Sequence, residues 1–164
     1  MRRYILVLIC GTIFAIAALV SGASQAGAGL LDGRIFEGRI GPAEAPDLKD
    51  RLHFAEGHFW SGLCTECGFH PGAYSARKTD SGIAFDGVLT SESRGRFDYE
   101  GLIRPDGSIT VTIAWSRSRW YWKARRQLAF VGNSAPAGSH LSLKALRDRM
   151  AVRDPGSNPQ CARF

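Results

Sequence analysis

The stretch that decides the fold runs from Gly95 to Gly132, GRFDYEGLIRPDGSITVTIAWSRSRWYWKARRQLAFVG. At its centre, Ser108 to Trp115, the residues alternate without a break. Ile109, Val111, Ile113 and Trp115 fall on one side; Thr110, Thr112, Ala114 and Ser116 fall on the other. A period of two in β-branched residues describes a half-buried strand, because a helix would scatter the same apolar positions around its surface. Pro105-Asp106-Gly107 just ahead reads as a tight turn, since Pro presets φ and Gly accepts a positive one. Upstream, Phe97, Tyr99 and Ile103 alternate with Arg96, Asp98, Glu100 and Arg104. The stretch is therefore a long antiparallel hairpin with one apolar and one polar face. Ser116 to Arg119 offers neither Gly nor Pro, yet a strand from Ser108 through Val131 would far exceed the usual length of roughly 3–10 residues, so a turn is expected there.

Working outward, the same reading yields more strands. Leu30 to Ile40 is a first strand with Phe36, Gly38 and Ile40 on one face, and Gly41 to Lys49, with Pro42 and Pro46, is a loop. Arg51 to Ala55 follows with Leu52 and Phe54 inward; Glu56-Gly57 turns the chain, and His58 to Cys64 returns it. Thr65 to Ala73 is turn-rich. Tyr74 to Lys78 and Ile83 to Ser91 are strands about an Asp80-Ser81-Gly82 turn, and Ser93-Arg94-Gly95 leads into the hairpin. About eight strands with frequent turns, and no alternation with helices, describe an all-β sandwich or an up-and-down barrel. Tight turns between consecutive strands favour the meander, and closing it removes both exposed edges. After Gly132, Asn133 to Gly138 reads as a linker. His140 to Val152 has helical spacing, with Leu143, Leu146 and Met150 on one stripe and Ser142 or Ser139 as cap. Arg153 to Phe164 is a tail that Cys161 alone would tie down.

The first 26 residues read as an export signal. Met-Arg-Arg is a cationic start, Tyr4 to Val20 an apolar core, and Ser24-Gln25-Ala26 a small-x-small cleavage site. The competing reading is a retained anchor, since the apolar run approaches the roughly 18 residues of a span; the small residues from Ser21 to Gly29 favour cleavage. Cys10 lies too near the start for a lipoprotein site. Removing the leader leaves 19 Lys+Arg against 15 Asp+Glu, a mild +4. The expectation is a periplasmic or secreted protein of one domain, with residues 27–132 as the barrel and 133–164 as linker, helix and tail. In that compartment the charge suits lipid headgroups or envelope polymers and not nucleic acid, and no membrane span remains after cleavage.

Three cysteines then remain, Cys64, Cys67 and Cys161, where disulfides persist. Cys64-Thr-Glu-Cys67 has redox spacing, but Gly68-Phe69-His70-Pro71-Gly72 after it reads as a loop and not as the helix that would lower a thiol pKa. A haem attachment needs His where Gly68 stands, and zinc on Cys64, Cys67 and His70 lacks a second Cys/His pair. A Cys64–Cys67 bridge closes a tiny loop, whereas a bridge to Cys161 closes one of about 95 residues, worth about 4 kcal/mol in the chain-entropy account. Cys67–Cys161 is the favoured pair, with Cys64 the alternative partner.

Taken together, Leu31-Asp-Gly33 with Phe36, Phe59-Trp-Ser61, Cys64, Gly68-Phe69, Tyr74, Phe85, Gly101, Asp106-Gly107, Trp115 and Trp120-Tyr-Trp122 resemble small exported bacterial proteins with lipocalin-like (calycin) barrels. The resemblance covers roughly Leu30 to Gly132. It implies an eight-stranded barrel, a helix after it on the outside, and an apolar ligand in the mouth. Lipocalins also stack an Arg of the last strand on the Trp of a first-strand Gly-x-Trp. Here Gly33 is followed by Arg34, Ile35 and Phe36, and Arg125 or Arg126 could take the part of the Arg.

Other constellations have plain readings. His53, His58, His70 and His140 fall on separate turns and polar faces. Asp98 and Glu100 share a strand face with Arg96 and Arg104, which makes an ion-pair ladder a sufficient account of them. Arg117, Arg119, Lys123, Arg125 and Arg126 form a basic patch near the last turn. Phe85, Phe97, Tyr99, Trp115, Trp120 and Trp122, with Phe130, are core residues or, crowding a barrel interior, the lining of an apolar slot. No motif of a hydrolase, zinc protease or phosphate loop is present, and no cofactor is expected. The sequence thus points to an exported, non-enzymatic protein that binds a small apolar ligand inside a barrel. The alternative is a protein–protein module, an inhibitor or envelope assembly factor, acting through its loops and tail. An open interior would favour the first and a filled one the second.

Overall fold

A computed structural model describes residues 29–136, 141–155 and 157–163. The proposed leader lies outside the described residues. Eight antiparallel strands close into an up-and-down barrel in sequence order: β1 (Ile35–Pro42), β2 (Leu48–Ala55), β3 (His58–Ser61), β4 (Gly72–Thr79), β5 (Gly82–Ser91), β6 (Gly95–Ile103), β7 (Ser108–Arg119) and β8 (Trp122–Ser134). Closure comes from β1 on β8, with Phe36 opposite Ser134 and Pro42 opposite Leu128. The alternation at the centre of the chain holds: Ile109, Val111, Ile113 and Trp115 are buried, and Thr112 is exposed. Outward positions such as Glu37, Arg39, Lys49 and Arg51 are charged, the reverse of the apolar band that a membrane-spanning barrel turns to lipid. Among the described residues no helix is long and apolar enough to cross a membrane.

Three local expectations are corrected. The strand expected from His58 to Cys64 stops at Ser61, and Gly62–Glu66 forms the short helix α1. Ser61 breaks the strand by capping that helix, its Oγ accepting from the Cys64 N–H at 2.9 Å. The chain after Cys64 is therefore helical, with Cys67 as its C-cap. The first strand begins at Ile35, because residues 29–33 turn across the barrel end instead of joining the sheet. The break expected at Ser116–Arg119 falls at Trp120-Tyr121, so β7 and β8 run for 12 and 13 residues.

The ends are closed by different pieces of chain. At the lower end Leu31 is fully buried, and its N–H donates to the Tyr74 hydroxyl at 3.0 Å. That hydroxyl donates to Asp32 Oδ1 at 2.9 Å, and Asp32 also accepts from the Gly57 N–H. Burial, reinforced by the Asp32 carboxylate, pushes the Tyr74 hydroxyl up to about 12. At the upper end α1 and Phe69 fill the opening, and Cys67 is bonded to Cys161 across 94 residues. The expected pairing is the one formed. In the chain-entropy account it contributes about 4 kcal/mol.

The helix α2 (Leu143–Val152) links the two ends from outside. Ser142 caps it, its Oγ accepting from the Ala145 N–H at 3.2 Å; Ser139 lies outside the described residues. Leu143, Leu146 and Met150 pack on the outward ring of Trp60, which is only 2% exposed beneath them. Glu56, on the β2–β3 turn with a positive φ of 54°, accepts from the Leu143 N–H and fixes the lower end of the helix. From its upper end the chain crosses the barrel top. Arg153 pairs with Glu66, Asn158 donates to Glu66, Arg94 donates to the Cys161 carbonyl at 2.6 Å, and Arg163 pairs with Asp47.

Candidate functional site at the barrel rim

Of the six residues expected to line a ligand slot, Phe85, Phe97, Tyr99 and Trp115 are buried in the interior. Phe36, Phe54, Phe59, Phe85 and Tyr99 touch edge to face or stacked in a continuous run, with ring centroids 5.1–6.2 Å apart, and Phe69 meets Phe97 at 4.5 Å. Such separations are those of packed aromatic pairs. Glycines on the facing strands make room for the rings. Gly101 stands opposite Phe85 in the sheet, and a Cβ there would fall inside that ring. A Cβ at Gly87 would meet Phe59, and one at Gly38 would come 2.8 Å from Phe130 Cζ. These contacts set ring over glycine within the lumen. A hollow of about 720 Å³ lies outside it, on the outer face of β4–β7 among Asp86, Arg96, Asp98, Glu100, Thr110 and Thr112.

One polar network is built into this interior, and the sequence reading missed it. Asp50 stands in phase with Leu52 and Phe54 on β2, so its carboxylate turns inward and is 7% exposed. It accepts from Ser61 Oγ at 2.6 Å and from the Leu63 N–H at 2.9 Å, satisfying the open first turn of α1. Burial outweighs these hydrogen bonds and pushes its pKa up to about 6. Cys64 Sγ lies 3.5 Å from the Tyr99 hydroxyl, fully buried. Burial, then the Asp50 charge, pushes the thiol up to about 12, and burial also holds the Tyr99 hydroxyl well above its usual range. With Cys67 in a disulfide and Cys64 held as a buried thiol, the pair lacks the exposed, acidic thiol that exchange chemistry needs. In-phase placement of Asp50 was the signal available in the sequence.

The other two expected residues lie elsewhere, as do all five basic ones. Past Ser116, paired with Arg96, β7 has no neighbour on the β6 side; before Leu128, paired with Pro42, β8 has none on the β1 side. The pairs Arg117–Ala124, Ser118–Lys123 and Arg119–Trp122 thus form a two-stranded ribbon that runs on about 10 Å along the strands past the rim. Trp120 at its tip is 95% exposed and Tyr121 66%, so Trp120 does not line the interior; it sits on the turn, where no third strand covers it. Trp122 is half-buried, under the Arg117 guanidinium at 5.5 Å. Tyr121 lies edge-on to both Trp120 and Trp122.

Trp115 anchors the base of the ribbon. Its indole N–H donates to the Arg94 carbonyl at 3.0 Å, and the Arg126 guanidinium covers its ring at 5.6 Å. The calycin resemblance gave Arg125 or Arg126 a place stacked at the Gly33 end. Arg126 stacks instead at the opposite end, and Arg125 is exposed. Among the described residues none of Arg117, Arg119, Lys123, Arg125 and Arg126 forms an ion pair.

The remaining candidates are dispersed. His53 stacks on Trp60, His58 contacts the Glu56 carbonyl, His70 bridges to Thr90, and His140 lies outside the described residues. Among the described residues no group of three or more His, Cys, Asp or Glu is placed to hold a metal. Asp98 pairs with Arg96 at 2.5 Å on the outer face, one rung of the expected ladder. Set against protein families, curated proteins and solved structures, the chain matches none.

Proposed function

We propose that this chain is an exported, non-enzymatic binding module in which the barrel is a filled scaffold and the working surface is the β7–β8 ribbon at its rim. The observation that carries this reading is the contrast in packing. The interior rings lie over glycines and on one another, whereas Trp120 and Tyr121 are held out in solvent on a ribbon whose cations form no ion pair among the described residues. A rigid sheet that displays a binding loop is a common division of labour. Export is supported by the leader pattern and by the Cys67–Cys161 bridge, which suits an oxidising compartment. Kinship with calycins belongs to the same proposal, supported by the strand order and by the helix after β8.

The alternative use of the barrel, as a carrier of a small apolar ligand, is what the test addresses. The full chain, labelled at Ile and Val methyl groups, is titrated with N-phenylnaphthylamine or a long-chain fatty acid and followed by NMR. The methyl signals of Ile109, Val111 and Ile113, which face the lumen, should stay in place. Phe59→Ala, which opens an apolar cavity, should make the same signals shift on titration. Saturable shifts in the unaltered chain would restore the carrier reading and remove the ribbon from its central role.

A further inference from the structure

We propose that the β7–β8 ribbon docks on an anionic lipid surface, with Trp120 and Tyr121 entering the interfacial layer and the surrounding cations meeting headgroup phosphates. The inference rests on the reading of the ribbon as the working surface and names its partner. From Gly107 to Arg147 the sequence contains no Asp or Glu, so the whole hairpin is cationic without internal compensation. Five Lys or Arg fall within ten residues, Arg117 to Arg126, around a tip of three consecutive aromatic residues.

Their placement matters as much as their number. Arg119 and Lys123 flank the turn and are exposed beside Trp120 and Tyr121. Arg117 Nε, shielded from solvent, has no hydrogen-bond partner among the described residues. Trp and Tyr, apolar in body and polar at one edge, are the residues that settle at the headgroup level. Basic residues near the surface each add attraction to anionic lipid. The ribbon runs about 10 Å along its strands past their last barrel neighbours, which carries its tip beyond the ends of β5 and β6 and their outward Asp86, Asp98 and Glu100. A protein partner would call for a broader surface than this narrow ribbon. Two exposed rings at the end of a cationic arm fit a lipid interface better.

The test uses the full chain and vesicles whose acyl chains carry bromine, which quenches a tryptophan only on contact. The leader holds no Trp, so its own insertion is silent in this measurement. Vesicles of phosphatidylcholine with phosphatidylglycerol should quench the fluorescence, and Trp120→Phe should remove most of that quenching while leaving vesicle binding largely intact. Arg119→Glu with Lys123→Glu should weaken partitioning by about tenfold or more, and pure phosphatidylcholine should quench little. Both variants alter exposed positions, and their far-ultraviolet spectra and melting curves verify folding. Quenching that survives in Trp120→Phe, or none on anionic vesicles, overturns the proposal. Binding of soluble polyphosphate without vesicle quenching would reassign the ribbon to a polyanion and overturn it equally. Such failure leaves the filled-scaffold reading standing, because only uptake of an apolar probe in the lumen would sink that.

Discussion

The barrel interior and the rim ribbon both carry clustered aromatic residues, and two strands, β7 and β8, belong to both. Trp115 and Trp120 lie five residues apart on one hairpin, yet one is 7% exposed and the other 95%. What separates them is the neighbour. Up to Ser116 on β7, and from Leu128 on β8, a third strand stands alongside and the barrel closes over the inward face. Beyond those points the inward-phase positions of β7 are Arg117 and Arg119, and Trp120 and Tyr121 lie on the turn with no strand to bury them. Aromatic residues on a hairpin therefore do not specify core. The reach of the adjacent strands decides whether they become packing or surface.

The largest effect should come from breaking the packed side of this contrast. Phe59 touches Phe54, Phe85 and Tyr99 and lies over Gly87. Phe59→Ala should lower the free energy of unfolding by about 3–5 kcal/mol, measured by urea denaturation with an unchanged slope. A cost below about 1 kcal/mol would mean that the interior collapses or repacks easily, and that a guest could occupy it at little penalty.

The parts of this contrast that were legible in sequence are those that depend on one strand at a time. The period of two from Ile109 to Trp115 is visible because one face is buried along its length, and the eight strands follow from the turns between them. Pairings are not visible in that way. Gly101 makes room for Phe85 only because register sets them opposite each other, and nothing local to Gly101 says so. The α1 turn was hidden because Phe59, Ser61 and Leu63 continue the strand period until Ser61 caps a helix instead. The ribbon was hidden for the opposite reason: its basic residues were evident, but its length beyond β1 and β6 is a property of the closed barrel. The turn at Trp120-Tyr121 carries no glycine to announce it.

Charge sharpens the comparison next, since the interior holds one carboxylate where the ribbon displays five cations. The Asp50 pKa, raised from 3.8 to about 6, lies above its unfolded value. The folded state thus holds the proton more tightly than the unfolded chain does. Its contribution to stability is fully present below pH 3.8 and is lost as pH rises through about 6. Over that window the unaltered protein should lose on the order of 2–3 kcal/mol relative to Asp50→Asn, which carries no titrating group at that position. The check is the difference between the two unfolding free energies at a series of pH values, because carboxylates common to both proteins cancel. A difference that stays flat, or rises with pH, would mean that Asp50 is solvated and that its place among Ser61 and α1 has been misjudged.

The smallest effect should be the most telling one. Trp120→Ala removes one of the two tryptophans of the ribbon, yet a ring 95% exposed has almost no burial to lose. Its unfolding free energy should stay within about 0.5 kcal/mol of the unaltered chain. Trp115→Ala, on the same hairpin, should cost about 3–5 kcal/mol, since it empties a buried site and strips the Arg94 carbonyl of its donor. Fluorescence gives an independent reading. Acrylamide should quench Trp120 readily and Trp60, beneath α2, hardly at all, so Trp120→Phe should remove most of the easily quenched signal. If Trp120→Ala proved as costly as Trp115→Ala, the tip would be packed against something in solution, such as a second copy or the tail. The ribbon would then belong to the core side of the comparison. If it proves silent in stability, the Trp120 ring contributes nothing to the fold, and a surface beyond the molecule is the place left for it to act.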